Sequence, residues 1–168
     1  MRKTIALIAG LLVLALVNGS IYLRERLRST GTVVFLELAP VDPRSLMQGD
    51  YMALRFKLEN DGFRDRTPGL SADGRIVVKL DERRVATFVR RDDGRDLGAG
   101  ELVLKYRIRD GRLKFATNAF FFEEGTADRY TAARYGEFRV APSGELLLTA
   151  LRDKDLQQLG QQLQTATR

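Results

Sequence analysis

The chain has 168 residues, a formal charge of +6, and no Cys, His or Trp. Without Cys there is no disulfide, and without His and Cys the commonest general base and the usual zinc and copper ligands are missing. Catalysis would have to rest on Asp, Glu, Lys, Ser, Thr or Tyr; no carboxylate spacing suggests a hard-cation site, and neither a cofactor nor a metal is expected. The length suits one domain plus an accessory segment.

Arg2 and Lys3 precede an apolar run from Ile5 to Val17, and after Asn18, Gly19 and Ser20 the run resumes as Ile21-Tyr22-Leu23. As a helix, residues 4–23 would measure roughly 30 Å, the thickness of the hydrocarbon layer. The 13-residue uninterrupted core also fits a signal peptide, with Val17 and Gly19 at the cleavage site. Val is a poor residue there, and Tyr22 and Arg24 suit an interfacial belt, so the anchor reading is preferred. Arg24, Arg26 and Arg28 nearly balance the charges ahead of the span. The very short leading tail argues for an N-terminus inside and a domain exported outside. A basic balance suits anionic lipid or acidic partners as readily as nucleic acid, and the membrane segment removes nucleic acid. The division is an anchor over 1–23, a juxtamembrane segment over 24–31 and a domain over 32–168.

From Thr32 onward the pattern has period two, broken by turns. Residues 32–39 are rich in Val, Phe and Leu. Residues 51–58 put Met52, Leu54, Phe56 and Leu58 on one side, the predicted core face. Residues 59–74 read as a long polar loop. Residues 75–80 and 84–90 form a hairpin around Asp81-Glu82-Arg83, and 91–100 a second loop. Asp110-Gly111, between two alternating runs, is the pair expected for a two-residue type I′ turn. It sets Ile108 opposite Leu113 and Tyr106 opposite Phe115 on one surface. On the other surface, Arg109 faces Arg112 and Arg107 faces Lys114, with Lys105 beside them. Residues 127–134 are compatible with a short helix, 136–141 and 145–151 are strands joined by Pro142-Ser143-Gly144, and 153–164 read as a terminal helix with Leu156, Leu159 and Leu163 on one face. The sum is a mainly antiparallel β domain, a sandwich or partly open barrel, behind an N-terminal transmembrane helix.

Gly49-Asp50-Tyr51-Met52-Ala53-Leu54-Arg55-Phe56, behind Pro40-Val41-Asp42-Pro43-Arg44, resembles the signature of the GDYXXLXY family of bacterial membrane-associated proteins, with Phe56 where the name has Tyr. The likeness extends to Ala119-Phe120-Phe121-Phe122-Glu123-Glu124-Gly125, to Ala132-Ala133-Arg134-Tyr135-Gly136, and to Val140 and Gly144. The resemblance implies a single-pass protein of the bacterial inner membrane with a periplasmic domain, associated with a multi-spanning membrane protein. It carries no established activity.

Each motif has a structural and a functional reading. Pro43 and Gly49 suit a corner, and Asp50 suits a cap of backbone N–H groups there; alternatively Asp42, Arg44, Gly49, Asp50, Tyr51 and Glu124 line a binding site. Lys105, Arg107, Arg109, Arg112 and Lys114 form either a solvated face balanced by neighbouring acids or a contact for anionic lipid or an acidic partner. Phe120, Phe121 and Phe122 are expected to be buried on both faces of a strand. Ser45 with Lys57 or Lys79 invites comparison with Ser–Lys hydrolases, but Ser45 lies on the wrong side of Pro43 for that arrangement. The leading expectation is a non-catalytic accessory or binding domain; the alternative is an envelope hydrolase-like enzyme using Asp50 with a Glu or Lys.

Overall fold

A computed structural model describes residues 2–39, 47–48, 51–61, 72–109, 112–117 and 119–160. The chain opens with one unbroken helix, α1 (Arg2–Thr30). The polar residues inside its apolar stretch do not interrupt it, because their side chains bond back to the helix. The Asn18 amide donates to the Leu14 carbonyl and the Ser20 hydroxyl to the Val17 carbonyl, each at 2.8 Å. Such back-bonding satisfies one donor of each side chain within the helix. Large apolar side chains from Leu7 to Leu23 are exposed, and the helix is long and apolar enough to cross a membrane.

Beyond α1 the protein is mainly β and antiparallel, as the period-two pattern predicted. Strands β1 (Thr32–Glu37), β2 (Met47–Gln48), β3 (Tyr51–Ala53), β4 (Asp73–Leu80), β5 (Ala86–Arg91), β6 (Glu101–Arg109), β7 (Arg112–Lys114), β8 (Ala119–Phe121), β9 (Tyr135–Val140) and β10 (Leu146–Arg152) build three sheets among the described residues. Their orders are β1-β9-β10, β2-β3-β8 and β5-β4-β6-β7. The turn between β9 and β10 needs Gly144: its φ is +83°, and a Cβ there would stand 3.1 Å from Val103. The Gly144 carbonyl accepts from the Lys105 N–H at 2.8 Å, tying this turn to β6.

The predicted core face of the signature segment is the centre of the domain. Met52, Leu54, Phe56 and Leu58 are each at most 3% exposed. Only residues up to Ala53 are strand; Phe56 then bridges Leu38, and a short helix α2 (Leu58–Asp61) follows. The extended run keeps its alternation because the same apolar side must stay inward. Phe56 meets Phe115 and Phe138 edge-on, with ring centroids 6.1 and 5.5 Å away.

Two expectations are corrected. The loop predicted over 59–74 is overturned at both ends, where α2 reaches Asp61 and β4 begins at Asp73; residues 62–71 lie outside the described part. The Glu59 carboxylate accepts the Phe56 N–H at 3.0 Å, which favours a helical start there. The terminal helix predicted from 153 does not form through residue 160; residues 161–164 lie outside the described part. The Asp153 carboxylate accepts the N–H groups of Asp155 and Gln157 at 2.9 and 2.8 Å, and Leu156 adopts a φ of 62°. This side chain competes with the helix for the same donors. The chain turns back instead, with Leu159 N–H on the Leu151 carbonyl at 2.9 Å. The segment 127–134, read as helix-compatible, does hold a short 3-10 helix, Ala127–Tyr130.

Candidate functional site

The topology brings together the two stretches that carry the resemblance. β3 pairs β8 with Tyr51 opposite Phe121 and Met52 opposite Phe120. Alternation then divides the residues between faces. Met52 points into the core, while the Tyr51 and Phe121 rings lie outward with centroids 5.7 Å apart. Phe120 and Phe122 turn inward around Tyr130, at 5.2 and 5.3 Å. The expectation that the aromatic run is buried on both faces fails at Phe121, which is 73% exposed. β8 ends there, and nothing in the described part covers its outer side.

An open hollow of about 530 Å³ begins at this ring, walled by Phe121, Phe122 and Tyr130, with Glu123, Thr126 and Arg129 supplying polar groups. Gly160 closes one side. Its φ is +77° and a Cβ would run into the Tyr130 ring, so the returning C-terminal segment depends on this residue being glycine. Glu124 is exposed in the turn that follows β8. Asp42, Arg44, Gly49 and Asp50 lie outside the described residues, as does Ser45.

The cationic face has the register predicted from Asp110-Gly111, although those two residues are themselves outside the described part. Arg107 pairs with Lys114, Ile108 with Leu113 and Arg109 with Arg112. Tyr106, Leu113 and Phe115 are buried on the opposite side. On the other flank, β4 sets Arg75 against Lys105 and Asp73 against Arg107. Asp73 reaches Arg109 at 3.4 Å, and Arg75 is held by Asp92 at 2.7 Å.

Sequence reasoning passed over one ion pair. Glu137, inside β9, accepts the Arg152 Nε–H at 2.6 Å; Arg152 also donates to the Leu156 carbonyl at 3.0 Å and lies 6.0 Å from the Phe35 ring centroid. Alternation places Glu137 on the face of β9 that carries Tyr135 and Arg139, so the pattern gave no sign of its burial. Arg152 stands at the end of β10 and also donates to the turn after it, so the pair joins that turn to the sheet. Among the described residues no three His, Cys, Asp or Glu side chains converge into a metal-ligating group.

No curated protein and no solved structure matches the chain. The model of the GDYXXLXY protein family matches residues 13–151, a span that runs from inside α1 to the last residues of β10 and includes both strands of the Tyr51–Phe121 pair. The chain therefore belongs to the GDYXXLXY family.

Proposed function

We propose that this chain is a non-catalytic accessory domain of the bacterial inner membrane. In this reading α1 spans the bilayer, the β domain stands in the periplasm, and the surface around Tyr51 and Phe121 docks a loop of a multi-spanning membrane protein. The observation that carries the reading is the exposed Phe121 ring beside the signature tyrosine. A phenyl ring left mostly in water adds little to the stability of its own fold, whereas a partner that covers it recovers the burial of a large side chain. Aromatic anchors next to a hollow with a few polar groups are the usual centres of binding energy at interfaces. A chain without His and Cys also lacks the commonest general base and the strongest side-chain nucleophile.

The test is purification of the full-length protein from its native membranes in mild detergent, with mass spectrometry of what accompanies it. A stoichiometric multi-spanning protein is expected, and Phe121→Ala should lose it while remaining folded. A wild-type protein that emerges alone would overturn the docking role. Protease added outside intact spheroplasts should digest the β domain; full protection would overturn the periplasmic placement.

A further inference from the structure

The cations of β6 and β7 belong to a larger feature that includes the anchor. A cleft of about 660 Å³ opens between the lower end of α1 and the β4–β6–β7 sheet. Arg24 and Leu27 form one wall, and Arg75, Lys105, Arg107 and Lys114 stand on the other. Arg24 is the first charged residue after the apolar stretch that ends at Leu23. With α1 across a bilayer, Arg24 lies where hydrocarbon gives way to headgroups, and the cleft lies at the same depth.

The charge in this cleft is unbalanced. Among the described residues that line it, the acids are Asp73 and Glu145, against five cations. Asp73 is shared with Arg109 and Arg75 is engaged by Asp92. Lys105 stands opposite Arg75 across the strands. Such opposition weakens a strand pair, and an anion placed among the cations would relieve it. Guanidinium and ammonium groups lining one cleft from four elements suit a phosphate, which accepts several charge-assisted hydrogen bonds at once. The buried Tyr106 forms part of the lining and gives the cleft a fixed floor.

We propose that this cleft seats the phosphate of an anionic lipid headgroup from the leaflet into which α1 leads, fixing how the β domain sits against the membrane. The proposal rests on α1 being a membrane span, and it is independent of which leaflet that is and of what Phe121 binds.

The experiment uses the full-length protein in nanodiscs of phosphatidylcholine with and without phosphatidylglycerol, followed by native mass spectrometry of the lipid retained on release into detergent. Wild type should keep phosphatidylglycerol in preference to phosphatidylcholine, and retention should fall as salt is raised. Lys105→Glu/Arg107→Glu should retain about tenfold less, whereas Arg55→Glu/Lys154→Glu, an equal charge reversal at exposed positions outside the cleft, should retain as much as wild type. Should the double reversal fail to fold, Lys105→Gln/Arg107→Gln serves, with a smaller loss in the same direction. Equal retention of the two lipids, or undiminished retention by the cleft variants, would overturn the proposal. Displacement of the lipid by millimolar glycerol phosphate would make the site one for a soluble phosphate. Loss of a co-purifying protein with lipid retention unchanged would assign the face to an acidic protein partner. Extraction of wild type from phosphatidylcholine discs by carbonate would overturn the span itself, a failure distinguishable from loss of lipid preference in a protein that stays inserted.

Discussion

In the β9–β10 pair an acid and a base meet under cover, with the side chains of Glu137 and Arg152 only 8% and 24% exposed. In the β6–β7 pair, basic residues stand opposite basic residues in the register. The first arrangement repays desolvation through short, multiple hydrogen bonds and ties the turn after β10 to the sheet. The second raises the energy of the fold, and the burial of Tyr106, Leu113 and Phe115 on the reverse side holds the strands together against it. Paired charge in the interior thus reads as architecture, and concentrated like charge beside a candidate membrane span reads as a surface kept for something else.

Measurements on the full-length protein in detergent can break or sharpen that contrast. The largest loss is expected away from both charge clusters: Phe56→Ala removes a fully buried ring packed on Phe115 and Phe138 and should cost about 3–5 kcal/mol in urea unfolding. Glu137→Ala leaves the Arg152 guanidinium without its acid and should cost about 2–4 kcal/mol, with Glu137→Gln intermediate. A loss below about 0.5 kcal/mol, the ordinary effect of a surface change, would show that the pair is not structural. Phe121→Ala should cost less than about 1 kcal/mol because the ring is already exposed, and its effect should appear in partner recovery. Smallest of all, Lys105→Thr relieves the opposition to Arg75 and introduces a better strand former, for a gain of about 0.2–0.5 kcal/mol. A clear loss at Lys105 would mean that the face is balanced in the fold and would remove the reason to seek an anion for it.

Much of this protein is local in origin and so was readable in one dimension. The α1 helix, the inward set Met52, Leu54, Phe56 and Leu58, the β4–β5 hairpin and the Arg107–Lys114 register follow from periodicity and turn residues, which act over a few positions. The segment after Arg152 was misread because leucines three and four apart satisfy a helical pattern, while the Asp153 carboxylate and the contact of Leu159 with Leu151 oppose it. Phe121 was misassigned for a related reason. Alternation separates it from Phe120 and Phe122, but whether its side of β8 is covered depends on which strands lie over it, and those are distant in the chain. The meeting of Tyr51 with Phe121 and of Glu137 with Arg152, and the placing of Arg24 and Lys105 on one cleft, join residues apart in sequence. Short-range chemistry determines which strands can form and which way their side chains point; the pairing of remote strands around one core decides which of those side chains become neighbours, because only there do burial and opposing charge act between them.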